Sequence, residues 1–139
     1  MKALDSVPRV LVTRGLDTQE PWVDHLAASL QPVEVEVVPV ASPGRVIQRL
    51  STRRPRVVVV DQPSLTDLGW SLLRQIRRLD ATLPCLMVVR RAEPMLLSKA
   101  LQLSAYSVFA MPVDVALMGR MVHRLLDWPD NERRATHIG

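Results

Sequence analysis

Two rhythms of hydrophobic and polar residues alternate along the chain. Short runs that are wholly apolar or strictly alternating are separated by longer stretches in which apolar residues return every three or four positions. The first short run, Arg9–Thr13 (RVLVT), follows Pro8 and predicts a strand. From about Glu20 to Leu30, Trp22, Leu26 and Leu30 recur at i, i+4 and i+8 with Val23 and Ala27 beside them, which predicts a helix with one apolar face. Pro21 suits its first turn, where the missing N–H is not needed. Val33–Val38 (VEVEVV) places Val33, Val35 and Val37 on one side and Glu34 and Glu36 on the other, so this strand has a wet face or lies at a sheet edge. Pro43 and Gly44 open a helix carrying Val46, Ile47 and Leu50, which ends in Arg53–Arg54–Pro55. Val57–Val60 is unbroken valine, the pattern of a strand buried on both faces at the centre of a parallel sheet.

That strand stops at Asp61. The loop QPSLTDLG leads into a helix expected to turn Leu72, Leu73, Ile76 and Leu79 inward and Arg74, Arg77 and Arg78 outward. Pro84 introduces a fourth strand, Cys85–Val89. A helix from about Pro94 to Ser104, a short strand Ser107–Ala110, the pair Met111–Pro112 and a last helix from about Val115 to Asp127 complete the series. The last helix carries Leu117, Met118, Met121, Val122, Leu125 and Leu126. Strands and helices in strict alternation predict an α/β fold with a doubly wound, five-stranded parallel sheet. One domain over residues 1–128 is expected, with 129–139 a polar tail or the start of a linker.

Composition changes this picture little. The chain has 139 residues, of which 47% are hydrophobic and only 4% aromatic, so the core is built from Val, Leu, Ile, Met and Ala. Net charge is +4 and the isoelectric point about 10.2, which raises nucleic acid as a partner through Arg53, Arg54, Arg56 and Arg90–Arg91. The bland alternative is that the arginines are solvated on several helix faces. Cys85 is alone in an apolar run, so it reads as a small buried hydrophobe rather than a disulfide or zinc ligand. No run approaches the ~18 apolar residues of a membrane span, and a cytoplasmic protein with no membrane partner is the expectation.

In an open α/β sheet, ligands collect beyond the carboxyl ends of the strands. The one carboxylate directly at such an end is Asp61. Asp17 and Asp67 read as turn or cap residues, His25 and His123 lie on helices without a clustered partner, and His137 is in the tail. No catalytic triad, phosphate loop or paired acid and base is visible, so no enzyme is expected.

VVVVDQPSLTDLG is similar to the third strand and following loop of response-regulator receiver domains, with Gly69 eight residues after Asp61. LPCLMVV (Leu83–Val89) and AMPV (Ala110–Val113) resemble the family's fourth and fifth strand ends. The resemblance spans the chain through Leu126 and implies a flavodoxin-like, CheY-like sheet in the order 2-1-3-4-5. It makes Asp61 the phosphoacceptor equivalent. It also exposes losses: Arg14 and Gly15 match the acidic pair, Val89 the hydroxyl residue, Met111 the lysine and Val108 the aromatic switch position, although Tyr106 and Phe109 are close enough to blur that register. The family implies a cis peptide before Pro112. With the ligand set lost, no cofactor is expected, Mg²⁺ included. Arg14 is expected to pair with Asp61 in the metal's place; a solvent-facing Arg14 is the alternative.

The resemblance therefore implies an atypical, pseudo-receiver subtype, a phosphorylation-independent module contacting other signalling proteins. Its expected surface is the fourth helix, fifth strand and fifth helix, with Lys99, Tyr106, Arg120 and Arg124, and with a homodimer and an output domain in the same chain both left open. The alternatives are a receiver phosphorylated on Asp61 and a basic nucleic-acid-binding module.

Overall fold

In the computed structural model, residues 9–14, 21–39, 43–61 and 68–127 are described. They form β1 (Arg9–Arg14), α1 (Trp22–Leu30), β2 (Glu34–Pro39), α2 (Pro43–Thr52), β3 (Val57–Asp61), α3 (Leu68–Leu79), β4 (Cys85–Val89), α4 (Pro94–Gln102), β5 (Ser107–Ala110) and α5 (Val115–Leu126). The strands make one sheet in the order β2-β1-β3-β4-β5, and every pair is parallel. The alternation implies a doubly wound parallel sheet, and the resemblance implies this order. Among the described residues no helix is long and apolar enough to cross a membrane.

The period of two in each strand assigns its side chains to one of two cores. Leu11, Val58, Val60, Cys85, Met87 and Val89 face α2, α3 and α4, meeting Val46, Leu50, Leu73 and Ile76. Val10, Val12, Val57, Val59, Leu86 and Val88 face α1 and α5, meeting Leu26, Leu30, Met118 and Val122. β3 and β4 are buried along their whole lengths, as unbroken apolar runs require. A Cβ at Gly119 of α5 would stand 3.4 Å from Ser29 Oγ, which fixes the flank of α5 that meets α1.

Two inward–outward expectations for α3 are corrected. Leu79 is 45% exposed, because as the last helical residue it has no following turn to cover it. Arg77 does not point to solvent. Its guanidinium donates to the carbonyls of Leu103 (2.9 Å), Asp80 (3.2 Å), Leu83 (2.7 Å) and Ser104 (2.8 Å). One planar fork thereby caps the end of α3, the end of α4 and the entry to β4. Ser104 takes the left-handed conformation (φ 57°) that ends α4, while Ala105 N–H bonds back to Ala100 C=O at 2.9 Å.

β2 lies at a sheet edge, as its alternation allows, but its acidic face is not merely wet. Arg9, 95% buried by its 5% exposure, reaches Glu34 (3.1 Å) and Glu36 (3.6 Å). From α2, Arg49 reaches Glu36 (2.6 Å), and Arg53, just past its end, reaches Glu34 (3.1 Å). Arginines expected to be simply solvated therefore build a charge ladder along this edge, because Glu34 and Glu36 stand on the side that α2 covers. The peptides before Pro32 and Pro112 are both cis.

Candidate functional site at the carboxyl ends of the strands

The topological switch point of this sheet lies between β1 and β3, where the strand order reverses. β1 ends there at Thr13–Arg14 and β3 at Asp61. Asp61 is 4% exposed, a carboxylate at the end of the most buried strand. Thr13, wholly buried, accepts a hydrogen bond at its Oγ1 from the Asp61 backbone N–H at 3.3 Å. Reading from sequence missed this hydroxyl; its signal was a polar residue one step short of the strand end, on the face that also buries Leu11.

Thr13 pairs with Val60, so one register step on, Arg14 and Asp61 stand side by side. The two are not an ion pair. The guanidinium of Arg14 turns to Asp24 in the first turn of α1, with Nη2 3.3 Å from Oδ1. The expected Arg14–Asp61 pairing is thus corrected. Asp24 is an exposed partner, and pairing there leaves the guanidinium hydrated, whereas burial beside Asp61 would strip both charges of water. An exposed pair of this kind contributes about 0–1 kcal/mol.

The remaining equivalent positions are apolar. Val89 is buried at the end of β4, Met111 is half-buried just past β5, and Val108 is half-buried within β5. Gly15, Asp17, Asp67, His137, the tail 128–139 and the loop 62–67 lie outside the described residues. Mg²⁺ wants several hard oxygen ligands. The described residues at these strand ends offer one buried carboxylate, with a guanidinium on the adjacent strand end. Among them no group of three His, Cys, Asp or Glu side chains comes together as a metal site.

The basic residues considered for nucleic acid do not form one patch. Arg53, Arg54 and Arg56 precede β3, at the amino end of the sheet, while Arg90 and Arg91 follow β4 at the carboxyl end. A five-residue strand spans about 16 Å between them. Arg53 and Arg54 are also paired, with Glu34 (3.1 Å) and Asp80 (3.4 Å).

At the other edge of the sheet, α4 and β5 leave an apolar groove of about 480 Å³, lined by Leu97, Leu101, Ala105, Tyr106 and Val108 among others. Of the anticipated surface residues, Tyr106 lines this groove. Lys99 instead lies over the Trp70 ring of α3, 5.3 Å from its centroid, while Arg120 and Arg124 are exposed on α5.

Cys85 is buried, and burial pushes its thiol up from 9.0 to about 11, partly opposed by the charge of Arg77. Because the folded state holds the proton more tightly, this group's contribution to stability is full below pH 9.0 and falls as pH rises through about 11. Cys85 should therefore stay unmodified by a disulfide reagent in the native protein at neutral pH and react promptly once urea unfolds it. Rapid native-state labelling would contradict its burial.

No protein-family model matches the chain. No curated protein matches it either. Solved structures do. A CheY-like response regulator receiver domain protein from Methanospirillum hungatei JF-1 superposes with a TM-score of 0.71 at 19% identity, covering 94% of this chain and 98% of that one. The signal receiver domain of a signal transduction histidine kinase from Syntrophus aciditrophicus gives 0.69 at 20% identity, over 86% of this chain and 89% of that one. Vibrio cholerae chemotaxis protein CheY4 gives 0.69 at 17% identity, over 86% and 98%. The chain shares their fold; at these identities the likeness says nothing further.

Proposed function

We propose that this chain is a receiver domain of a two-component signalling protein that acts as a docking or regulatory module without phosphorylation of Asp61. The observation that carries the reading is the buried Asp61 at the end of β3, beside a strand end that presents Arg14, with the apolar Val89 ending β4 and Met111 following β5. Phosphoryl transfer depends on positioning and charge neutralisation around the acceptor. The described residues supply Asp61 with neither a second carboxylate for a metal nor a lysine for the phosphoryl oxygens. The solved structures with this fold that carry receiver names support the signalling assignment. The domain acts on other signalling proteins by contact rather than by chemistry, either alone or joined to an output domain.

The second reading is a receiver still phosphorylated on Asp61, favoured by the retention of that acid at the end of β3. Titrating the ¹⁵N-labelled chain with beryllofluoride and Mg²⁺ separates the two. The expected result is no change in the amide signals of Asp61, Thr13 and Val89. Shifts centred on Asp61 would establish the second reading instead.

A further inference from the structure

One stretch of the chain carries more positive charge than the whole. Between Pro43 and Leu79 there are eight arginines and two acids, an excess of six charges in a chain whose net charge is +4. Of the two acids, Asp61 is buried at the end of β3 and Asp67 lies outside the described residues. The helices of this stretch, α2 and α3, contain no acid at all. They touch each other and cover the same face of the sheet. The helical period gives each a polar outer stripe of one composition. On α2, with Val46 and Leu50 buried, Arg45, Gln48, Arg49 and Thr52 recur at i, i+3, i+4 and i+7, all exposed. On α3, with Leu72, Leu73 and Ile76 buried, Ser71, Arg74, Gln75 and Arg78 recur at the same spacing, half-buried except for the exposed Arg78. Every one of these side chains can donate a hydrogen bond, and half of them are guanidinium groups. Arg49 holds Glu36 yet keeps 48% of its side chain exposed, and among the described residues neither Arg45 nor Arg78 is in an ion pair.

We infer that the outer surface of α2 and α3 binds the phosphate backbone of a nucleic-acid duplex without reading its sequence. Guanidinium, amide and hydroxyl donors free of nearby carboxylates are the chemistry that phosphate oxygens accept from. The same face lacks what other anionic partners need. A protein interface has an apolar core, and an anionic membrane takes up apolar side chains. Of the exposed large hydrophobic residues only Leu79 belongs to either helix, at its last position. A single strand stacks its bases on aromatic rings, and the one aromatic of these helices, Trp70, is buried. Two packed helices, each about 10 Å across, are together too broad for a major groove of about 12 Å, so contact stays on the backbone. This surface lies apart from the runs Arg53–Arg54 and Arg90–Arg91, and it is independent of whether Asp61 is phosphorylated.

The full chain is titrated into two labelled DNA duplexes of about 20 base pairs and unrelated sequence, with binding followed by fluorescence anisotropy. Both should bind alike, with Kd of about 10⁻⁶–10⁻⁴ M near physiological salt. With one counterion released at each of Arg45, Arg49, Arg74 and Arg78, affinity should fall about a hundredfold between about 50 and about 200 mM salt. Arg45→Glu/Arg78→Glu should weaken binding about tenfold or more. Arg120→Glu/Arg124→Glu makes the same change in net charge on α5, across the sheet, and should leave affinity within about twofold. All four positions are exposed, so the variants keep the fold, which circular dichroism checks. An RNA duplex of equal length, titrated alongside, shows which backbone the surface prefers, and binding of either supports the inference. Equal losses in the two variants would overturn it, since the chain would then bind by net charge alone. So would no binding of either duplex, or tighter binding of a single strand, of polyglutamate or of phosphatidylserine vesicles.

Discussion

Replacing Arg77 by alanine should lower the free energy of unfolding by about 3 kcal/mol or more. Hydrogen bonds from a charged donor are worth roughly 1.5–3 kcal/mol each, less where water can substitute. Arg77 makes four, to Asp80, Leu83, Leu103 and Ser104. The loss would leave the last carbonyls of two helices uncapped at once. Lysine at this position should recover less than half of the loss, because a compact ammonium cannot reach across four acceptors arranged for a planar fork. Arg78→Ala, one position on and exposed, should stay within about 0.5 kcal/mol of the parent. Urea denaturation followed by circular dichroism measures all three. Equal costs for Arg77→Ala and Arg78→Ala would show that the clamp contributes nothing.

Leu73→Ala should cost about 3 kcal/mol, the lost transfer energy of a fully buried side chain plus the cavity left between α3 and the sheet. Leu79→Ala should cost well under 1 kcal/mol, since Leu79 is 45% exposed. The two leucines look alike in sequence, both on the apolar stripe of one helix. Their difference arises only from where the helix stops. Comparable losses at the two sites in thermal or urea unfolding would mean that the end of α3 is covered.

The parts of the fold legible from sequence were those in which burial leaves no choice of residue. Val57–Val60 could only be a central strand, because polar side chains on either face would have been stranded in a core. The alternation of Val33–Val38 pointed to a wet face or a sheet edge for the same reason. What stayed hidden depends on the reach of long side chains. Arg77 lies four residues after Leu73, on the flank of the apolar stripe rather than opposite it, so its guanidinium can turn under the helix end; two of the four acceptors it finds come from the α4–β5 turn, 26 and 27 residues away in the chain. Arg14 could be placed beside Asp61 by strand order alone, yet its choice of Asp24 depends on how α1 packs. At the site itself, the sequence indicated which residues stand at Asp61's side of the sheet, but not the Thr13 hydroxyl beneath it. The groove was obscured because the run Pro94–Leu101 holds more apolar residues than one face of a helix can bury, and only the packing shows that Leu97 and Leu101 are left over.

The charge ladder on β2 also determines how copies of this molecule could add to one another. An open sheet has two ends. Here, among the described residues, one carries arginines and glutamates paired with each other, and the other an apolar groove. Growth from head to tail would need the two ends to complement each other, whereas growth through one end needs only that end to match itself. An assembly that uses the same end on both members closes at two and does not propagate along the sheet.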